Sequence, residues 1–191
     1  MKQDTATSHH ICPWWLGFFL ASPLRRLYQD PESILGPCLG EGVTAVDVGC
    51  GMGFFSLPMA RMVGPRGRVV CIDVQEKMLR HLARRAARAG LSDVIEPRLA
   101  SHGSFRLGDL AESADFLLLF AVIHEVGDRR ALFLEGREAL KRGGCVLVAE
   151  PRGHESTVGF ERTLTIAREC GFAVIGEPSI RGSRTALLEK V

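Results

Sequence analysis

The sequence predicts an α/β domain built on a mainly parallel sheet with helices on both faces. From Val43 onward, short apolar runs alternate with segments of helical periodicity, which is typical of parallel sheets. The chain has 191 residues, 46% of them hydrophobic, which is enough for one sizeable core. The last two apolar runs have no helix between them, so an antiparallel hairpin is expected there. We therefore expect residues 1–42 to form an N-terminal helical extension and residues 43–191 to form the domain.

The individual elements follow from hydrophobic periodicity and from the turn residues between them. Strands are predicted at 43–48, 68–73, 94–99, 115–120, 145–150, 172–177 and 185–189. Helices are predicted from the glycine-rich turn to about Val63, at 76–89, from Asp128 to about Lys141 and at 160–170. Gly90 is expected to end the second helix, and Gly143-Gly144 the third. In the extension, Pro23, Pro31 and Pro37 are expected to interrupt short helices.

Composition excludes several classes of function. Lys+Arg 24 against Asp+Glu 22 gives a net charge of +2, so bulk charge does not indicate a nucleic-acid partner. The six cysteines contain no C-x-x-C pair, which argues against a metal site and favours reduced thiols in the cytoplasm. The longest early apolar run, residues 14–21, is too short to cross a bilayer, so no transmembrane segment is expected. The cluster of His9, His10 and Cys12 has no second group of ligands and predicts no metal.

A glycine-rich loop is the strongest motif in the chain. Gly49, Gly51 and Gly53 follow the first buried strand and precede a helix. Glycine is required where a turn takes positive φ, and where a ligand lies against bare backbone. In an α/β sheet, ligands bind outside the carboxyl ends of the strands. The loop therefore predicts a ligand site at that edge.

Two carboxylates indicate which ligand the loop receives. Asp73 ends the second strand, where a carboxylate can accept hydrogen bonds from both hydroxyls of a ribose. Asp47 precedes the loop, where it would repel a pyrophosphate and suit an ammonium and a sulfonium. The glycines follow G-x-G-x-G, not the G-x-G-x-x-G of dinucleotide sites. A nicotinamide-dependent oxidoreductase on a similar sheet nevertheless remains an alternative.

Four segments together resemble class I S-adenosylmethionine-dependent methyltransferases: VDVGCGMGFFSLPMA, VVCIDVQEKML, ADFLLLFAVIHEV and ALKRGGCVLVAEP. The HEV segment is similar to the subgroup that includes ubiquinone/menaquinone-biosynthesis and arsenite methyltransferases. Arg142 stands where the family often has proline. The resemblance implies a Rossmann-like seven-stranded sheet with an antiparallel last strand, S-adenosylmethionine as cofactor and S-adenosylhomocysteine as product.

The resemblance also implies which residues bind this cofactor. Ser101 and His102 stand where the family often has an aspartate that contacts the adenine amine, so this contact lacks its carboxylate here. The implied cofactor-binding residues are Asp47, Gly49, Cys50, Gly51, Gly53, Phe54, Asp73, Val74, Met78, Ser101, His102, Phe120 and Ala121.

Methyl transfer is an in-line displacement that needs a general base only when the nucleophile arrives protonated. His124, just past the fourth strand, is the candidate base, and the alternative is that it only fixes the loop. Residues expected at the substrate side or in a lid are Trp14, Trp15, Tyr28, His124, Glu125 and His154. The expected function is methyl transfer to a small-molecule acceptor, with a non-catalytic cofactor-binding protein as a further alternative. The aromatic extension can equally form a homodimer contact.

Overall fold

The computed structural model describes residues 25–26, 28–101 and 104–191. Its helices are α1 (Pro31–Leu35), α2 (Ser56–Val63), α3 (Glu76–Ala89), α4 (Arg129–Ala139) and α5 (Thr157–Glu169). Its strands are β1 (Thr44–Val48), β2 (Arg68–Asp73), β3 (Ile95–Leu99), β4 (Ala114–Phe120), β5 (Leu140–Pro151), β6 (Phe172–Gly176) and β7 (Ser183–Lys190). Short 3₁₀ turns lie at Gly108–Leu110 and Ile123–Glu125.

The described strands form one seven-stranded sheet in the order β3-β2-β1-β4-β5-β7-β6. β1, β2, β3, β4 and β5 pair in parallel, whereas β7 pairs antiparallel with both β5 and β6. The predicted fold class and the closing hairpin are therefore confirmed. The sheet order reverses beside β1, so the carboxyl ends of β1 and β4 border the crevice where α/β proteins bind ligands.

Both faces of the sheet are buried, which explains why its strands are continuous apolar runs. On β1, Ala45 packs into one core cluster and its neighbour Val46 into the other, because successive side chains point to opposite faces. Helix α3 covers one face with a stripe of its apolar residues and turns most of its basic residues outward, whereas Arg85 donates a hydrogen bond to the carbonyl of Met52. Gly90 ends α3 in the left-handed conformation (φ 69°), as its sequence position predicts.

The boundary between α4 and β5 differs from its prediction. The helix ends at Ala139 and β5 begins at Leu140, so Gly143-Gly144 lie within the strand and do not end the helix. Leu140 is buried, pairs with Ala114 of β4 and accepts a 2.6 Å hydrogen bond from Lys190 Nζ. Pairing with a distant strand thus overrides the local glycine signal.

Two other boundaries depend on helix caps. α5 begins at Thr157, three residues before the prediction, because the Ser156 hydroxyl accepts the N–H of Gly159 at 2.9 Å. Pro31 occupies the first turn of the five-residue helix α1 and starts it, which agrees with the prediction that prolines divide this region into short helices. No helix within the described part of the chain is long and apolar enough to cross a membrane.

Candidate active site

A cavity of about 230 Å³ opens at the carboxyl ends of β1, β2 and β4. A single water needs roughly 10–15 Å³ of such space, so the cavity is large enough for an organic ligand. Its walls come from the glycine-rich loop, the end of β2 and the start of α3, the segment after β3, and the segment after β4. The side chains of these segments therefore meet around one space, although they lie far apart in the sequence.

The three positions of the glycine-rich loop require glycine for different physical reasons. All three have positive φ: 74° at Gly49, 53° at Gly51 and 82° at Gly53. A Cβ on Gly49 would lie 2.6 Å from Val122, and one on Gly53 would lie 2.4 Å from Leu82, so close packing requires both. A Cβ on Gly51 would meet no described atom within 4 Å. Gly51 therefore presents bare backbone to the cavity, whereas Gly53 does not border it.

Asp73 lies directly against this bare backbone. Its Oδ2 accepts the N–H of Gly51 at 2.9 Å, and its Oδ1 accepts the N–H of Gln75 at 2.8 Å. Burial raises the pKa of Asp73, while these backbone N–H groups oppose the increase. Because a carboxylate oxygen accepts more than one hydrogen bond, both oxygens retain capacity for ligand hydroxyls.

Asp47 provides negative charge below the loop. Its side chain is buried, and its Oδ2 accepts a 2.5 Å hydrogen bond from the Ser56 hydroxyl. Burial raises the pKa of Asp47 to about 6, and the hydrogen bond from Ser56 is the largest effect that opposes this increase. The negative charge of Asp73 raises this pKa further, and the positive charge of Arg25 lowers it slightly. A nearby ligand cation would likewise favour the ionised form.

The guanidinium of Arg25 also lines the cavity, where it lies on aromatic rings. The guanidinium of Arg25 lies 4.4 Å from the ring centroid of Phe54 and 5.6 Å from those of Phe55 and Phe120. Burial lowers the pKa of Arg25 to about 10, which leaves it protonated at neutral pH. Aromatic faces attract cations electrostatically, but Arg25 occupies these faces, so Asp47 is the group here that attracts a ligand cation. The donor set therefore fits a ligand that carries ribose hydroxyls and a positive centre.

Most residues expected to bind the cofactor border this cavity. They are Asp47, Gly49, Cys50, Gly51, Phe54, Asp73, Val74, Met78, Phe120 and Ala121. Ser101 lies outside its lining and is exposed, closing a bridge with Ser104, and His102 falls outside the described residues. Sequence reasoning missed Arg25, Phe55 and Phe105 as lining residues. Phe55 adjoins the loop motif, but no local pattern points to Arg25 or Phe105.

The turn after β4 separates the two residues predicted at the mouth. Glu125 lines the cavity, whereas the His124 side chain is directed toward β5. His124 Nδ1 lies 2.6 Å from Glu150 Oε2, and its Nε2 lies 3.9 Å from Glu125 Oε1. The ring of His154 packs edge-on against His124 with centroids 4.8 Å apart. His124, Glu125 and His154 thus lie close together, with Glu150 as a buried fourth member, but only Glu125 lines the cavity whose mouth all three were expected to border.

The remaining expectations concern the extension and the cysteines. Tyr28 is exposed and packs beneath the guanidinium of Arg181, 5.0 Å from its ring centroid, away from the cavity lining. Trp14 and Trp15 lie outside the described residues. Cys50 borders the cavity as a free thiol whose pKa is raised by burial. Among the residues that the structure describes, no group of three or more potential ligands could hold a metal ion.

Comparisons with known proteins identify a family and several relatives. Residues 39–170 match a protein family described as a methyltransferase domain. A ubiquinone biosynthesis O-methyltransferase of Caulobacter vibrioides is 36% identical over 148 residues, which are 78% of this chain and 55% of that protein. The chain thus spans about half the length of this curated relative.

Solved structures share the fold at low sequence identity. A SAM-dependent methyltransferase from Aquifex aeolicus superposes with a TM-score of 0.81 at 24% identity, covering 94% of this chain and 98% of that one. The [4+2]-cyclase SpnF superposes with a TM-score of 0.66 at 22% identity, covering 78% of this chain and 60% of that one. At these identities the likeness shows the fold alone, and the name of the cyclase indicates that the fold is not tied to one reaction.

Proposed function

The chain belongs to the S-adenosylmethionine-dependent methyltransferase family, and we propose that it transfers a methyl group from S-adenosylmethionine to a small-molecule acceptor. The observation that carries the proposal is the contact between Gly51 and Asp73, which joins bare backbone and a carboxylate at 2.9 Å in one cavity. The buried carboxylate of Asp47, which also borders the cavity, supports the same ligand. The oxidoreductase alternative has no comparable support, because the matched family is a methyltransferase family.

We assign the parts of the cofactor to the residues that suit them chemically. Asp73 would accept hydrogen bonds from the ribose hydroxyls, and Val74 and Met78 would lie beside the adenine. Asp47 and the ring of Phe120 would stabilise the positively charged methionine end. When bound, S-adenosylmethionine supplies an electrophilic methyl group on a sulfonium whose leaving group is neutral.

We propose that the acceptor carries a hydroxyl group. The Caulobacter relative is named an O-methyltransferase, and the turn after β4 offers a base beside the cavity. A hydroxyl is a weak nucleophile until its proton is removed, so a positioned base accelerates the transfer. In this proposal Nε2 of His124 receives that proton; this nitrogen lies 3.9 Å from Glu125, which lines the cavity.

The N-terminal extension, residues 1–42, is proposed to cover the substrate side as a lid. Methyl transfer benefits when the reacting groups are closed off from water, and large aromatic side chains such as Trp14 and Trp15 exclude water well. Homodimer contact through the extension, the absence of a nucleic-acid partner and a place in the cytoplasm stay predictions.

Binding and turnover test the proposal separately. Isothermal titration calorimetry with S-adenosylmethionine and S-adenosylhomocysteine is expected to give saturable binding at one site. Transfer of a labelled methyl group from S-adenosylmethionine to fractionated metabolites is then expected to yield a labelled small molecule. Binding without any labelled product would favour the non-catalytic alternative. Absence of binding by a folded protein would refute the assignment of the cavity.

A further inference from the structure

The side chain of Glu150, near the carboxyl end of β5, is fully buried, and both of its oxygens contact the turn after β4. Oε1 accepts the backbone N–H groups of Val122 at 2.9 Å and Ile123 at 2.7 Å, which holds the turn after β4. Oε2 lies 2.6 Å from Nδ1 of His124. One oxygen therefore fixes the backbone of the turn, and the other contacts the only ring in it.

These contacts determine which nitrogen of His124 carries the proton. An ionised carboxylate offers only lone pairs, so Nδ1 must donate its hydrogen to Glu150. In the neutral imidazole, Nε2 then keeps its lone pair. That nitrogen lies 3.9 Å from Glu125, which borders the cavity. The Nε2 lone pair thus faces the residue through which His124 adjoins the cavity, although His124 itself does not line it.

We propose that Glu150 is a positioning residue for the methyl transfer, holding His124 as the Nδ1–H tautomer so that Nε2 can take the proton of the acceptor. This inference rests on the proposed function. An anchor for the turn needs only a neutral acceptor such as an amide oxygen, whereas burying a carboxylate is costly. The carboxylate becomes favourable when the ring opposite it turns into an imidazolium, which is the state that the reaction creates.

The proton balance of the reaction fits this arrangement. The acceptor oxygen forms a bond to the methyl carbon, the carbon–sulfur bond breaks with its electron pair going to sulfur, and the hydroxyl proton passes to Nε2 of His124. The resulting cation faces the carboxylates of Glu150 and Glu125, with Glu155 further away. The exposed ring of His154, packed against His124, marks the side on which the proton can leave for solvent.

Charged neighbours determine the titration of His124. The hydrogen bond to Glu150 is the largest cause that raises its pKa, burial opposes it, and the charges of Glu125 and Glu155 add smaller increases. His154 faces the same ring and adds positive charge when it is protonated. A His124 that acts as base must be neutral, so kcat/KM is expected to increase with pH through this pKa.

Nitrogen-15 NMR of the histidine side chains tests the tautomer directly, with the His124 signal identified by its loss in His124→Gln. The wild-type protein is expected to show the Nδ1–H tautomer. In Glu150→Gln, the amide oxygen remains with the N–H groups of Val122 and Ile123, so the amide NH₂ faces Nδ1 and forces the Nε2–H tautomer. The pKa of His124 is then expected to decrease, because the negative charge is gone.

A matched control separates positioning from anchoring. The Glu135 carboxylate also accepts two loop N–H groups, from Phe105 at 2.8 Å and Leu107 at 2.7 Å, without contacting His124. Glu135→Gln should leave the tautomer and pKa of His124 unchanged. Glu150→Asp, which keeps the charge, should retain an elevated pKa of His124.

Kinetics complete the test on an acceptor identified by the labelled-methyl screen. Glu150→Gln is expected to reduce kcat by about 100-fold or more, the usual scale of general-base catalysis, with little change in cofactor affinity. Its rising pH limb is expected to move to lower pH. A wild-type Nε2–H tautomer, or a folded Glu150→Gln protein with wild-type tautomer and kcat, would overturn the inference. The tautomer is measured without turnover, so its result stays distinct from a failure of the proposed function.

Discussion

Replacement of Asp73 by alanine is expected to weaken binding of S-adenosylmethionine by about 2–3 kcal/mol. Two hydroxyls of the ribose would each lose a charge-assisted hydrogen bond, and such bonds make a net contribution of roughly 1.5–3 kcal/mol each. The expected loss is at the low end of their sum, because water can enter the space that the carboxylate leaves and bind the hydroxyls. A loss of about 2–3 kcal/mol corresponds to roughly a 30- to 160-fold higher Kd. The N–H groups of Gly51 and Gln75 also lose their acceptor, and this loosening of the loop acts in the same direction.

The assay is calorimetric titration of the wild type and Asp73→Ala, with thermal unfolding to verify that both are folded. Asp115→Ala is the matched control, because Asp115 Oδ2 also accepts a backbone N–H, that of Thr44 at 2.9 Å. Asp115 lies at the amino end of β4, on the opposite edge of the sheet from the cavity. The control is expected to lose stability without losing affinity. Wild-type affinity in a folded Asp73→Ala protein would refute the ribose assignment.

Three further predictions address other parts of the site. Gly51→Val is expected to abolish cofactor binding with a nearly native circular dichroism spectrum, because the side chain enters the cavity and φ is 53° there; undiminished binding would show that the loop is only a turn. Burial raises the pKa of Asp47 from 3.8 to about 6. The free energy of unfolding is therefore expected to decrease as pH increases through this interval, by at most about 3 kcal/mol. Urea unfolding measures this free energy for the wild type and Asp47→Asn at pH 5 and pH 7.5. The variant is expected to be more stable relative to the wild type at pH 7.5 than at pH 5. The same pH dependence in both proteins would contradict this prediction. Deletion of residues 1–22 should leave a folded protein that binds cofactor but turns over poorly, whereas full activity would show that the segment is dispensable.

The sequence alone determined the fold class and the position of the glycine-rich loop. Both depend on patterns that are local along the chain: apolar strand, glycine turn, amphipathic helix. Asp73 was predictable for the same reason, since it ends the next strand of a repeating β-α-β unit and parallel strands bring their carboxyl ends to one edge. The ends of helices were less predictable, because the sequence near a helix end does not show whether its residues will pair with a distant strand. Leu140 joined β5 through its contacts with Ala114 and Lys190.

Only the tertiary structure decided what each site residue contacts. Gly53 and Gly51 look equivalent in the motif, yet one packs against Leu82 and the other opens to the cavity. His124 and Glu150 are 26 residues apart, and they meet because β4 and β5 are neighbours whose parallel register brings the ends of both strands together. A sequence pattern records which side chains are available and on which face of an element they lie. The distance between two of them is determined by sheet order, register and packing, which arise only when the whole chain has folded.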